Sequence, residues 1–581
     1  MTGPFFGLDI ATRALQTQQT LVDITNQNIA NANTPGYSRQ SGTVVATAAY
    51  PIPVFSSSGQ PGQLGTGVEV STVTRARDTF ADVQIRQQYA QQGRWNARQS
   101  ALAQVEAAVN EPSSTGLNSQ LTAYWNSWQQ LSNNPSDPSA RVAVVQQGQA
   151  LAQAFNSQST QLRQQQGDLD TQVGQTVTNI NDYANQISQI NVQISQVEAG
   201  GMHANDLRDQ RDVLLDKLSS LVNISTTESA DGQDTVYVNG HQLVDRNEVH
   251  PMVANLSPGV AATVTWQDDN TSVNLASAGG QLQGLYEARN TDVGGQLSQL
   301  NQLASRVITE VNSVHTSGVG LDGKGGQVFF DGTDASNISV DSALTGTNGT
   351  DHLAAARMTV DSTSPTGYSF ATGDSSNALA LAGLANGVGQ IDSTSTVQPG
   401  TTYAGPPSTT VSGVDLSQVA PNTTLNITTS GNTVSINGVA ATVTEGSDAN
   451  GKELVTVDGQ GARVTLSANV AANTPGALAS VLANLNGQTV TTQPAPNTIG
   501  AQYAQTIAGL GVASSTAQNE SNNQQVLVTQ LDKQRQSTQG VSIDEEATNL
   551  IQYQRAYEAA ARVVSVVDSM LNTLINNTGV Q

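Results

Sequence analysis

Residues 540–579 read GVSIDEEATNLIQYQRAYEAAARVVSVVDSMLNTLINNTG. Leu550, Tyr553, Tyr557, Ala560, Val564, Val567, Leu571 and Leu574 recur in alternating steps of three and four, a heptad seam that predicts an amphipathic helix. Asp544, Glu545 and Glu546 sit at its start, where carboxylates favour the positive end of the helix dipole. Asn576, Asn577 and Gly579 supply the stop. The other end of the chain repeats the pattern at Leu8, Ala11, Leu15, Gln18, Val22, Thr25, Ile29 and Ala32, with Gln18 and Thr25 as polar gaps. Asn31 and Asn33 suit a helix end, and Pro35-Gly36 favours a turn. Each helix of about 26 residues would run roughly 40 Å. A pair this long with so few large apolar side chains is marginal alone, and burial against neighbouring subunits would complete it. A helical hairpin closing a domain within one chain fits the same pattern.

Working inward, residues 78–223 read as several long helices. Val173, Val177, Ile180, Ile187, Ile190 and Ile194 mark one, broken by Gly200-Gly201, and a shorter one follows from Ala204 to Val222. At 224–275 the period changes to that of strands: Thr235-Val236-Tyr237-Val238 followed by Asn239-Gly240 is a hairpin signal. Helical spacing returns from Gly280 to Val314 and again from about Asn497 to Gln539, and Thr/Val/Gly-rich alternation over 395–495 predicts an all-β insert. The expected fold class is multidomain α+β: a terminal helical coiled coil and a long-helix stalk formed by both chain ends, with inserted all-β domains. The expected divisions are 1–36 with 543–581 (terminal coiled coil), 37–223 with 279–316 and 497–542 (helical stalk), 224–278 with 317–394 (mixed/β), and 395–496 (inserted β).

Composition narrows the functional classes. The 581 residues carry Lys+Arg 23 against Asp+Glu 46, a net charge of −23, and no Cys. Residues 307–531 hold Lys324, Arg357, Lys452 and Arg463 against fifteen acidic residues, so 15 − 4 = 11 of that charge lies there. Such acidity argues against nucleic acid as partner. Absent Cys removes disulfides, thiolate metal sites and cysteine nucleophiles. No apolar run approaches the roughly 20 residues that span a bilayer, so membrane insertion is not expected. Met1 to Ala14 shows no basic stretch followed by an apolar one, so no cleavable secretory signal is expected.

Several motifs invite chemistry and have plainer readings. Gly318-Val319-Gly320-Leu321-Asp322-Gly323 matches G-x-G-x-x-G but follows a helical stretch, which makes it a loop. His203, His241, His250, His315 and His352 form no cluster with carboxylates in metal-ligand spacing, so single solvated or satisfied histidines are expected. Asp206, Asp209 and Asp212, with Arg208 and Arg211, read as a solvated helix face with local ion pairs. Trp125 and Trp128 read as core. Tyr553 and Tyr557 fit either core packing or a subunit contact. No catalytic residue, cofactor site or metal site is expected. The insert at 395–496 lacks His and Cys, so it lacks the usual acid–base set.

Asn28-Ile29-Ala30-Asn31-Ala32-Asn33-Thr34-Pro35-Gly36-Tyr37-Ser38-Arg39-Gln40 resembles the N-terminal signature of the flagellar rod, hook and hook-associated proteins. The segments 540–547 (GVSIDEEA) and 550–557 (LIQYQRAY) resemble the C-terminal signature of the same family, and 206–212 (DLRDQRD) resembles an internal helix. Tyr37-Ser38 stands where hook and rod subunits usually have Phe-Lys, which favours the hook-associated branch. The resemblance implies an extracellular, non-enzymatic tube component that joins hook to filament after type III export without a cleaved signal. It implies motif roles for Asn28, Ala30, Asn31, Thr34, Pro35, Gly36 and Tyr37. It implies an assembly seam at Leu8, Ala11, Leu15, Val22, Ile29, Leu550, Tyr553, Tyr557, Ala560, Val564, Val567, Leu571 and Leu574, with the β domains facing outward. The partners it implies are further copies of the chain in a ring layer, the hook protein, a second junction protein and an export chaperone on the C-terminal helix. A hook or rod subunit, or a scaffold carrying an adhesive or enzymatic insert at 395–496, are the alternatives.

Overall fold

The heptad spacing at both ends becomes two long helices, Phe6–Ala30 and Ile543–Asn577, in the computed structural model of the chain. The described residues are 5–49, 64–257, 259–357, 359–360, 368–369, 371–386, 396–399, 401–404, 407–416, 419, 423–447, 452–460, 462–471, 477–491 and 498–577. The Leu574 side chain, Gly579, Asn497 and the expected limits 395 and 496 of the insert lie outside them. The chain forms two compact units. The first takes its residues from 1–100, 169–288 and 516–581, and the second from 101–168 and 289–515.

In the first unit the two terminal helices run antiparallel. Gly7 at the start of one faces the Val567 side chain of the other, while Asn28 near its end meets Glu546. The N-terminal helix also covers a hairpin of Gln40–Ala46 and Val68–Arg75. This hairpin lies in the part of 37–223 ahead of the helices expected from residue 78. The alternating Val68-Glu69-Val70-Ser71-Thr72-Val73 has a strand's period of two, and β-branched side chains suit it. Asn205–Leu221 is the short helix expected after the Gly200-Gly201 break. Beyond it Ile224–Glu228, Asp234–Val238, His241–Asp245 and Glu248–Val249 form a four-stranded antiparallel sheet, and Met252–Ser257 pairs with Val260–Trp266. Asn239 and Gly240 carry positive φ, the geometry a two-residue hairpin turn requires.

The second unit's core gathers Tyr124, Trp128, Phe329 and Phe330 in edge-to-face and tilted contacts, and Trp128 and Phe329 meet the fully buried His315 edge-on. Trp125 is buried beside them, so both tryptophans are core. His315 is neutral there: Nδ1–H donates to Gln327 O at 2.7 Å and Nε2 accepts the Ala354 N–H at 3.0 Å. Burial pushes its pKa down to about 4. The Thr/Val-rich stretch forms an eight-stranded antiparallel sheet between Thr402 and Thr491, packed around Val411, Val414, Ile427, Val455, Val464 and Leu466. One short helix, Ala477–Ala483, interrupts its all-β character and closes the apolar face with Val481 and Leu482.

Candidate functional site

The signature after the N-terminal helix turns the chain back on itself, and glycine is required at the turn. Gly36 has φ +81°, and a Cβ there would lie 2.1 Å from Val213 Cγ2. The reversal delivers Tyr37 to Gln40 against three other segments: the ends of both terminal helices and the helix Asn205–Leu221.

Asn28 is the hub. Its amide is fully buried and uses its whole hydrogen-bonding capacity. Nδ2 donates to Gln40 O at 2.9 Å and to Glu546 Oε2 at 3.1 Å. Oδ1 accepts the Tyr37 hydroxyl and the Gln40 N–H, both at 2.9 Å. Arg39 then grips the C-terminal helix, Nε donating to Glu546 at 2.8 Å and Nη2 to Glu545 at 3.2 Å, while its backbone N–H donates to Gln539 O at 2.9 Å at the end of the preceding helix, Ile499–Gln539. Burial, with the Asp206, Asp209 and Glu546 charges nearby, pushes the Tyr37 phenol well up, so it stays a hydrogen donor.

A second layer joins this hub to the helix Asn205–Leu221. Asp209 accepts the Ser38 N–H and hydroxyl at 2.9 and 2.8 Å and pairs with Arg75 at 2.6 Å. Asp212 holds Arg75, Arg77 and Arg86 at 2.9, 3.2 and 3.0 Å. Arg86 continues to Asp216 at 2.9 Å, and Asp216 to Arg535 at 2.6 Å. Burial alone would raise the Asp212 carboxyl, but Arg77, Arg86 and Arg75 hold it at about 2.

This corrects the solvated-face reading for Asp209 and Asp212, while Asp206 is exposed as expected. Asp209 is buried, and none of the three pairs with Arg208 or Arg211. Arg208 turns to Glu198 and Glu228, and Arg211 to Asp234. The arginines that do pair come from distant segments, which helical spacing cannot reveal. The available signal was Arg75 and Arg77 flanking one residue in a chain with so few cations.

The motif residues divide. Asn28, Gly36 and Tyr37 are built into the hub, while Asn31 caps locally: it donates to Gln27 O and accepts from Thr34. Pro35 and Ala30 are exposed. Along the seam Ala11 is buried, and Leu8, Leu15, Val22, Ile29, Leu550, Tyr553, Ala560, Val564, Val567 and Leu571 are half-buried. Tyr557 is more open, and Ala556 takes the half-buried step beside it. A second apolar line went unread in the sequence: Ile551, Val563, Val566 and Met570 are 49–59% exposed on the C-terminal helix.

Comparisons with known proteins fall on these same segments. The flagella basal body rod protein family matches residues 8–37, and the flagellar basal body rod FlgEFG protein C-terminal family matches 533–577. The flagellar hook-associated protein FlgK helical domain matches 102–330. Flagellar hook-associated protein 1 of Bacillus subtilis is 31% identical over 611 aligned residues, covering 100% of this chain and 99% of that one. The chain belongs to the flagellar hook-associated protein 1 family. Other hook-associated protein 1 relatives, from Salmonella typhimurium and Escherichia coli, are 28% and 27% identical, with 97% of this chain and 98% of theirs aligned. A solved structure, of the flagellar hook junction protein FlgK from Burkholderia pseudomallei, matches at 20% identity and a TM-score of 0.49, covering 79% of this chain and 100% of that one. As a hook-associated protein the chain is an extracellular, structural component of the bacterial flagellum. Each of the three matched segments contributes to the hub: Asn28 and Tyr37 from the first, Asp209 and Asp212 from the helical domain, Glu545 and Glu546 from the last.

Proposed function

We propose that this chain forms the ring layer that joins the hook to the next junction protein below the filament, and that neighbouring copies pack through their paired terminal helices. The observation that carries this is the C-terminal helix. One line of its apolar side chains is shared with the N-terminal helix, and a second, Ile551, Val563, Val566 and Met570, faces outward from the pair. A tube of identical subunits needs two complementary faces per copy, and an antiparallel helix pair with an unused apolar edge offers one. The hub holds the other end of the pair in a fixed direction. The outward line would be open before assembly, so an export chaperone covering the C-terminal helix during type III export is part of the same reading. The role is mechanical, and no chemical step is assigned. The test is a deletion strain examined by electron microscopy. Hooks should persist while filament subunits appear in the medium, and the intact gene should restore filaments. Normal filaments on the deletion strain would overturn the junction role. Restoration by a variant with Ile551, Val563, Val566 and Met570 all changed to Ser would overturn the packing role.

A further inference from the structure

The turn after strand Val260–Trp266 carries Asp268 and Asp269, and the Asn239-Gly240 turn delivers His241 beside them. Among the described residues these three form the one group of His, Asp and Glu whose candidate ligand atoms all lie within 4.8 Å of one another. Sequence spacing hides them, because His241 is separated from the carboxylates by two hairpins.

The imidazole is fixed in both plane and tautomer. It stacks on the Trp266 indole with centroids 4.0 Å apart and planes 13° from parallel. Nδ1 lies 3.0 Å from Gln242 O, where it donates, so the Nε2 lone pair is left pointing at the carboxylates. Nε2 lies 3.9 Å from Asp268 Oδ2 and 3.6 Å from Asp269 Oδ2. Those distances are too long for hydrogen bonds. They are close to the spacing of about 3.3–3.6 Å between two ligands that each sit about 2.0–2.2 Å from one tetrahedral ion.

The carboxylates are equally restrained. Asp269 Oδ1 accepts both the N–H and the hydroxyl of Thr271, at 2.8 and 2.7 Å, which leaves Oδ2 for His241. These bonds also favour its ionised form. Asp268 Oδ1 accepts the Asp269 N–H at 2.9 Å, and its Oδ2 accepts from His250 Nδ1 at 3.0 Å. His250 thus fixes the very carboxylate oxygen that faces His241, as outer residues of metal centres fix their ligands.

We propose that His241, Asp268 and Asp269 bind a divalent transition metal ion, with Zn²⁺ the class favoured, His250 orienting Asp268. One imidazole and two carboxylates suit a borderline cation better than Mg²⁺ or Ca²⁺, which prefer all-oxygen shells. All three side chains are partly exposed, at 28, 37 and 46%, so a fourth position stays open to water. The ion would clasp the four-stranded sheet to the neighbouring hairpin.

The full-length chain is titrated with Co²⁺, read by its visible absorption, and then with Zn²⁺ by calorimetry after removal of trace metal. One Zn²⁺ per chain is expected, and Zn²⁺ should displace Co²⁺ from a low-symmetry, absorbing site. His241→Gln and Asp269→Asn should each weaken binding at least tenfold, and His250→Gln by a smaller factor. His203→Gln, remote from the cluster, controls for adventitious surface histidine binding and should change nothing. Circular dichroism and thermal unfolding confirm that each variant is folded. Absence of a one-to-one site, or a site equally sensitive to His203→Gln, would reduce the cluster to a hydrogen-bonded turn.

Discussion

Substituting Asn28 tests the hub most directly. Asn28→Ala removes four hydrogen bonds at once and leaves the Gln40 N–H and C=O without the partners they have in the folded chain. Leaving a buried polar group unpaired costs about 1–3 kcal/mol, so the two Gln40 groups alone predict a loss of about 2–6 kcal/mol in the first unit. Asn28→Asp separates donors from acceptors. The carboxylate still accepts from Tyr37 and Gln40 but cannot donate, and it meets Glu546, which the native Nδ2 approaches to 3.1 Å. Two like charges about 4 Å apart near a protein surface repel by about 4 kcal/mol, so the isosteric change should be at least as damaging as alanine. Lowering the pH toward 5 should recover part of the Asp variant's stability, since the pair can then share a proton, and none of the Ala variant's. Native-state hydrogen exchange over residues 21–40 and 541–550 reads the effect locally, with urea unfolding as a check. A loss under about 1 kcal/mol for Asn28→Ala, or an Asp variant as stable as the native chain, would refute the hub.

Three further outcomes follow from the same geometry. Because Arg77, Arg86 and Arg75 outweigh burial and depress Asp212 to about 2 from an ordinary 3.8, the cluster contributes about 2 kcal/mol above pH 4. That contribution should be lost as pH falls from about 4 to 2, and acid unfolding of Asp212→Asn should lack this step. His315 titrates near 4 when folded against 6.5 unfolded, so the unfolded chain binds the extra proton between those values. Stability of the second unit should fall by about 3 kcal/mol from pH 7 to pH 4 in thermal unfolding, and a flat profile would contradict the buried neutral imidazole. Gly36→Ala should destabilise the first unit by about 2–4 kcal/mol, because φ +81° and the Val213 contact both oppose a side chain. Adding Val213→Ala should restore only the steric part in the same unfolding assay.

Local periodicity carried the terminal helices, the hairpin at Asn239-Gly240 and the Thr/Val-rich sheet, because each depends on neighbours within a few residues. The hairpin Gln40–Ala46 with Val68–Arg75 was missed because residues 47–67 separate its two strands, too long a gap for the two-residue turn signature of a tight hairpin. The hub was half legible. Asn28, Gly36 and Tyr37 stand out as a motif, yet motif membership says nothing of what Asn28 touches. Its partner Glu546 reads in sequence only as a residue suited to a helix start. Asp209 and Asp212 were misread for a related reason: a helix's own spacing pairs them with Arg208 and Arg211, and only tertiary packing brings in Arg75, Arg77 and Arg86. The cluster of His241, Asp268 and Asp269 was invisible in the same way.

The bond between Asn28 and Glu546 joins residues 518 positions apart. A chain that emerges gradually, N-terminus first, cannot close that bond until Glu546 itself is free. The hub therefore acts as a check on completeness. A chain truncated before Glu545 leaves a buried amide and Arg39 without their C-terminal partners, and that fragment's terminal helix cannot be locked in direction. A component whose ends must find each other before it is rigid discriminates whole copies from broken ones by folding alone.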